Sequence, residues 1–352
     1  IAMRNFRMLS FVIFLFSYLS SCVEQKSWPL HIVIDLKENT ESIRYSQFAQ
    51  SVDYIELNTN DSCIISDISK IFLDEDTLIV LDQDRAGVLV FTKDGRLVKQ
   101  INDYGNGPNE FVDITAFALD SILNQICIFD WSTQRIMRYS YNGVLLSTYH
   151  MNSFVRDFAV LNDEINLCFL PFYSKELPYG VWLSDTNSVI VKRYDTKVPA
   201  DYQFEFIGTN YVSSNQGILY YDRNWDNISA ITKDTLEVLY EFDLKQRMPE
   251  DLRKKDPASI RLDGFGMMSN FSSSDQYILL SYYFYEGDGK YKWVLIDKNS
   301  GKTIVSNRVE NDIDSIQTSY HHIYQLNSCT WCRVLDADPD DCQLKIQLLN
   351  LK

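Results

Sequence analysis

"LIVLDQDRAGVLVFTKDGRLV" (residues 78–98) and "ICIFDWSTQRIMRYSYNGVLL" (126–146) are two copies of one pattern. Set side by side, Asp82 falls on Asp130, Phe91 on Tyr139, Gly95 on Gly143 and Leu97 on Leu145. Each copy is an apolar run ending in Asp, a polar turn, a second apolar run, a Gly turn and a third run. Alternation with a period of two, broken by turn residues, predicts an antiparallel meander. Just upstream, "SDISKIFLD" (66–74) matches "VDITAFALD" (112–120), with Asp67 on Asp113, Ile68 on Ile114 and Asp74 on Asp120. That adds a leading strand and makes a unit of four.

Fainter copies follow at 155–170, 217–242, 277–304 and 322–351, with Asp157 in the place of Asp113 and Asp222 in the place of Asp82. Four-stranded units repeating every 40 to 55 residues are spaced like propeller blades. The expected fold is all-β, a six-bladed β-propeller of four-stranded antiparallel blades.

"YGNGPNEF" (104–111) lies between the last strand of one unit and the first strand of the next. A phosphate-binding loop needs a helix behind it and a Lys or Ser/Thr at fixed spacing; here a strand follows. The stretch reads as the corner where the chain returns from a blade's outer edge to the axis. Gly105 and Gly107 are expected at positive φ, Pro108 fixes its own φ, and Phe111 is expected to anchor the return in the core.

"DGRLVKQINDYGNGPNEFVDITAFALD" (94–120) and "IFDWSTQRIMRYSYNG" (128–143) resemble NHL-type propeller repeats. More closely, they resemble the six-bladed β-propeller lipoproteins of Bacteroidales-type bacteria. That family carries a lipobox, an N-terminal strand segment and a G-x-G-P-x-E-[FY] crossing. Here these correspond to Cys22, "SVDYIELNT" (51–59) and residues 105–111. The resemblance implies fold and envelope location, and assigns no activity. The last unit shows three strands, so the segment at 51–59 is expected to supply its fourth and close the ring, hiding edges that otherwise invite aggregation.

The first residues have a different composition. Arg4 and Arg7 precede an apolar run from Leu9 to Leu19, and Leu19-Ser20-Ser21-Cys22 follows. The run is too short to span a bilayer, and its order is that of a secretory leader ending in a lipidated Cys. The expected organisation is a lipoprotein signal over 1–21, a tether and lead-in over 22–50, and a propeller over 51–352. Lipidation at Cys22 makes the membrane a partner and places the chain on the bacterial cell envelope, periplasmic or surface-exposed.

The 48 acidic residues outnumber the 33 basic ones, a net charge of −15. A surface that acidic repels phosphate backbones, so nucleic acid is not an expected partner. Cys329-Thr-Trp-Cys332 is an isolated CxxC, and the scattered cysteines read as buried free thiols. "DADPDDCQLKIQ" (336–347) begins like a calcium loop but lacks the Gly at its sixth position and the Glu at its twelfth, so it reads as a hairpin turn.

No catalytic motif is present, and no catalytic residue is assigned. The openings of the innermost strands (Asp67, Asp113, Asp157, Asn210, Met268 and the pair His321-His322) are expected to converge at one mouth of the central channel. No cofactor is expected beyond a cation held there; alternatively, the acids bond local turn amides. Trp225, Tyr282 and Tyr283 are candidates for an aromatic rim, weighed against packing between blades. The function expected is a non-catalytic binding or docking module for an envelope protein, glycan or peptide. The alternative is a hydrolase or lyase at the channel mouth.

Overall fold

Two-residue periodicity gives each strand two usable faces, and the short turns keep successive strands antiparallel. The computed structural model describes residues 29–352 apart from 39–41, 59–63, 66–67, 83–86, 152–153, 162–166, 172–179, 186–188, 196–198, 200, 204–209, 215–216, 287–289, 318–321 and 336–343. The chain begins with β1 (Leu30–Ile34) and β2 (Ile43–Arg44), turns through α1 (Tyr45–Phe48) and enters β3 (Ala49–Leu57).

Antiparallel groups of four follow: β4 (Ile68–Asp74), β5 (Thr77–Asp82), β6 (Gly87–Thr92) and β7 (Leu97–Ile101); β8 (Ile114–Asp120), β9 (Gln125–Asp130), β10 (Arg135–Ser140) and β11 (Leu145–His150). The next groups are β12 (Val155–Ala159), β13 (Leu167–Pro171), β14 (Gly180–Ser184) and β15 (Ile190–Asp195); then β16 (Tyr211–Ser214), β17 (Gly217–Asp222), β18 (Asn227–Ile231) and β19 (Leu236–Leu244). After α2 (Glu250–Arg253) come β20 (Gly266–Ser273), β21 (Tyr277–Phe284), β22 (Lys290–Asp297) and β23 (Thr303–Ser306). The short β24 (Val309–Glu310) precedes β25 (Tyr324–Gln325), β26 (Thr330–Val334) and β27 (Leu344–Leu351).

The sheets make an all-β propeller, with its core between blades. In β5, Leu78 and Val80 pack with Cys332, Val334 and Ile346, whereas Ile79 and Leu81 pack with Ile114, Phe117 and Ile128. The same alternation in β9, β17 and β21 continues the chain of interfaces until the last sheet meets the first. A strand buried on both faces is why these runs are apolar almost throughout.

Closure is by β3, which pairs antiparallel with β27 from Leu57↔Leu344 to Ala49↔Leu351. The end of β3 rests on the first blade: Asn58 donates its N–H to the Gly95 carbonyl at 2.8 Å. Gly95 has φ of 86°, and a Cβ there would lie 1.9 Å from the Glu56 carbonyl oxygen. Its counterpart Gly143 has φ of 75°. The recurring Gly therefore serves the turn in both copies and also admits the closing strand in the first.

Three expectations need correction. Five blades, not six, are four-stranded; the sheet β16–β19 carries β1 as a fifth strand, parallel to β19 from Leu30↔Tyr240 to Ile34↔Leu244. Consequently the lead-in assigned to 22–50 is not merely a tether. It covers an outer edge, pairs β2 in parallel with β24, and buries Leu36 and Ile43.

The third concerns the corner. Phe111 is fully buried, as expected, a burial that contributes roughly 1.5–3 kcal/mol. Its ring lies 4.6 Å from that of Tyr104. Arg135 pins the loop by donating to the Pro108 and Glu110 carbonyls at 2.9 and 2.6 Å. Gly105 and Gly107, however, are not among the positive-φ residues. They are small because Glu110 folds back on them: it accepts the Gly107 N–H at 2.8 Å, and a Cβ on Gly105 would lie 1.9 Å from its carboxylate.

Candidate functional site

The first strand of each unit is an inner strand. β4, β8, β12, β16, β20 and β25 stand side by side around the axis, and their second halves enclose a cavity of about 290 Å³. Of the phenylalanines around it only Phe72 is partly exposed, Phe117, Phe158 and Phe271 being buried between blades, and its polar positions include Lys70, Tyr211, Ser213, Asn270 and Tyr324. The cavity reaches the turns at the strand-end face through Ser121, Asn327 and Ser328. The volume is near the lower end for small-molecule sites.

A belt of polar bonds ties the inner strands together. Lys70 Nζ donates to the Phe117 carbonyl at 3.1 Å and to Asp157 Oδ1 at 2.8 Å. Asp157, 4% exposed, also accepts the N–H groups of Phe158 and Asn210, each at 3.0 Å. Asn210 Oδ1 accepts from Arg223 Nε at 2.9 Å, and Arg223 donates onward to the Met268 carbonyl. Asn270 Nδ2 donates to the Ile323 carbonyl at 3.0 Å, and Tyr324 donates to the Ile68 carbonyl at 2.6 Å. Gln325 accepts the Ser273 N–H at 2.7 Å and donates to the Ser213 carbonyl. Short inner strands leave edge groups unpaired, and this belt satisfies several of them.

The expected site residues are dispersed. Cys22, Asp67 and His321 lie outside the described residues. Asp113 is exposed; its N–H, not its carboxylate, makes the local bond, 3.1 Å to Asp130 Oδ1. Asp157 and Asn210 belong to the belt. His322 is half-buried, its ring 6.0 Å from those of Tyr291 and Tyr324. Trp225 is half-buried with the Arg247 guanidinium 5.7 Å from its ring.

Tyr283 is half-buried against Tyr291 at 4.6 Å. Tyr282 is no rim residue: it is fully buried between blades, its hydroxyl 3.3 Å from that of Tyr221. None of the described candidates lines the cavity. Lys70 was missed, although the repeat marks it: a Lys stands where the next copy has Ala116. Among the described residues, no group of three or more His, Cys, Asp and Glu side chains is arranged to hold a metal ion.

A second polar cluster lies in the β17–β18 turn. Asp222 and Asp226 are 2% and 5% exposed, and burial raises both carboxyls to about 6. The Asn224 N–H at 2.9 Å holds Asp222 down, and the charge of Asp226 raises it further. Arg247 Nε, 3.1 Å from Asp226, opposes that residue's shift, together with Arg253 and the Tyr221 hydroxyl. The cluster is enclosed by α2 and its flanks: Arg253, 2% exposed, donates to the Asn224 carbonyl at 3.0 Å. It is a largely buried network, open to solvent only at Arg247, that fastens the β19–β20 connection.

Of the cysteines, Cys127 and Cys332 are buried free thiols, and Cys329 is free and exposed. Burial raises the Cys127 thiol to about 12, which leaves it unreactive at neutral pH.

Sheets closed into a ring around one channel define an all-β propeller with a central cavity. The model of a family described as a domain of unknown function, DUF4934, matches residues 31–339, and the chain belongs to that family. The fold is similar to that of a Bacteroides fragilis protein thought to be exported: TM-score 0.72 and 16% identity over 92% of this chain and 99% of that one. It is also similar to a DUF4221 family member from Bacteroides vulgatus: TM-score 0.57 and 10% identity over 86% of this chain and 97% of that one. No curated protein matches this chain. Among the described residues no helix is long and apolar enough to cross a membrane.

Proposed function

We propose that this chain is a non-catalytic binding module of the bacterial envelope, a six-bladed propeller anchored by lipid at Cys22, whose ligand sits in the central channel. The blade count takes the five-stranded sheet as the sixth blade. The observation that carries the reading is the cavity lining. All inner strands contribute to it, most of its polar groups are neutral, and its two charged members are already engaged, Lys70 with Asp157 and Asp74 with Tyr141. Glycoside hydrolysis needs two carboxyl groups facing one bond, and the described lining offers one. Neutral hydrogen-bonding groups beside the partly exposed Phe72, Leu73 and Leu119 suit a sugar ring or a peptide side chain.

The anchor adds a direction. β1 runs parallel to β19, away from the Thr232–Thr235 turn, and Leu30 lies near the Gly301 turn at the strand-end face. Cys22 is eight residues before Leu30. An extended chain of that length reaches at most ~30 Å, so the anchor holds the cavity-bearing face toward the membrane. A partner or glycan on the same membrane is thereby brought to the channel.

Ser213 is exposed in the channel, so Ser213→Trp fills it without disturbing the core. Glycan and peptide fragments are screened by thermal shift against both forms. A ligand that stabilises the wild type and not the Trp variant supports the reading. Equal stabilisation of both rejects the channel as the site, and turnover of the bound fragment favours the hydrolase or lyase alternative.

A further inference from the structure

We infer that Lys70 anchors a neutral, hydroxyl-bearing ring in the channel, and that Asp157 is the group that excludes carboxylates; the inference rests on reading the channel as a binding site. Lysine has three N–H donors. Two are given to the Phe117 carbonyl and Asp157, and the third has no partner among the described residues. Lys70 lines the cavity with 19% of its side chain exposed, and the partly exposed Phe72 and Leu73 of the same strand belong to the same lining. A donor facing an apolar wall gains most from an acceptor that brings its own apolar body.

Asn270, also in the lining, provides the complement. Its Nδ2 is committed to the Ile323 carbonyl, and its Oδ1 accepts no donor among the described residues. A hydroxyl both accepts and donates, so a ring alcohol, of which a sugar is one kind, suits a lining in which Lys70 offers a donor and Asn270 an acceptor. Gln325 supplies neither, because both ends of its amide are held by Ser273 and Ser213.

Charge decides the rest. Asp157 Oδ1 is 2.8 Å from Lys70 Nζ, so the pair is neutral as seen from the cavity. A ligand carboxylate bonded to Lys70 would also lie close to the Asp157 carboxylate in a poorly solvated space, where like charges repel strongly. The net charge of −15 opposes anion entry in the same sense.

The test uses the full chain and three probes with one ring: benzyl alcohol, benzoate and toluene, titrated by ligand-observed NMR. Wild type is expected to prefer benzyl alcohol to benzoate by at least about tenfold, because both accept from Lys70 but only the carboxylate meets the charge of Asp157. Lys70→Met should weaken benzyl alcohol by about tenfold more than it weakens toluene, because only the alcohol uses the donor. Asp157→Asn, nearly isosteric, should tighten benzoate by about tenfold, because the repelling charge is gone. Benzoate binding unchanged by Asp157→Asn overturns the inference. So does an equal loss of toluene and benzyl alcohol in Lys70→Met, which would make Lys70 a prop for the channel wall. If wild type binds none of the three, the channel is not a binding site and the broader reading falls as well.

Discussion

The Tyr324 hydroxyl donates a 2.6 Å hydrogen bond to the carbonyl of Ile68, 256 residues away. It fastens the inner strands of the last and first blades on the channel side of the seam. The β3–β27 ladder fastens the outer edge of the last sheet. The ring is therefore held near the axis by side chains and farther out by backbone pairing. Tyr324→Phe removes the inner fastening and leaves the Ile68 carbonyl unpaired. The expected cost is about 1 kcal/mol, read as a lower urea midpoint at unchanged slope. A midpoint equal to wild type would show that the seam does not use this bond.

Removal of residues 23–59 takes away the strand completing the last blade and uncovers the outer edge of β19. Two open edges promote association, so the shortened protein is expected to aggregate or to melt far lower. Leu36→Ala is a finer probe. Leu36 is fully buried, and a Cβ on Gly266 would lie 2.2 Å from its Cδ1. A cost of about 2–5 kcal/mol is expected, as for other buried Leu truncations. Size-exclusion chromatography and denaturation check both variants, and a stable monomer after the deletion would show that the ring closes without β3.

The two described aspartates of the expected mouth should behave oppositely. Asp157→Ala leaves Lys70 without its counter-charge and two N–H groups without an acceptor, and should cost about 3–5 kcal/mol. Asp113→Ala changes an exposed side chain and should stay within about 0.5 kcal/mol of wild type. Equal melting temperatures for the two variants would contradict the belt.

The pH dependence follows from Asp222 and Asp226. Their carboxyls titrate near 6 when folded, against 3.8 ordinarily. Between about pH 4 and 6 the folded state therefore holds protons that the unfolded chain has released. Stability falls as pH rises through that window and levels off above it. Asp222→Asn, which cannot ionise, should flatten the slope. A wild-type slope of opposite sign would mean that the nearby arginines, not burial, govern the pair.

Anchoring is tested by Cys22→Ala, which should abolish palmitate labelling and release the protein from membranes. Undiminished labelling would remove the lipid anchor from the proposed function, leaving the fold unaffected.

The repeat was legible because blades reuse one local solution. Asp82, Asp130 and Asp222 end the second strand of their units and are all buried, and Asp130 shows why: its carboxylate accepts the N–H of Asp113, ahead of the inner strand of the same blade. Gly95 and Gly143 recur because the turn needs positive φ. Such requirements act over a few residues and so leave a mark at fixed spacing. β3 was legible for a related reason, an incomplete last unit and an alternating run near the N-terminus.

What the tertiary structure alone decided was pairing between distant residues. Nothing local in Lys70 says that it meets Asp157, 87 residues on, or that this neutralises a carboxylate otherwise expected to attract a cation. Nothing in "LHIVI" says that it will lie parallel to β19 and cover an edge. Tyr282 and Tyr283 are neighbours in sequence, yet the first is buried between blades and the second is half-exposed against Tyr291. The chain by itself determined the strand and the turn, since these rest on periodicity and backbone conformation. The location of the cavity waited for the ring, because burial and charge balance are set by whichever residues the closed circle brings together.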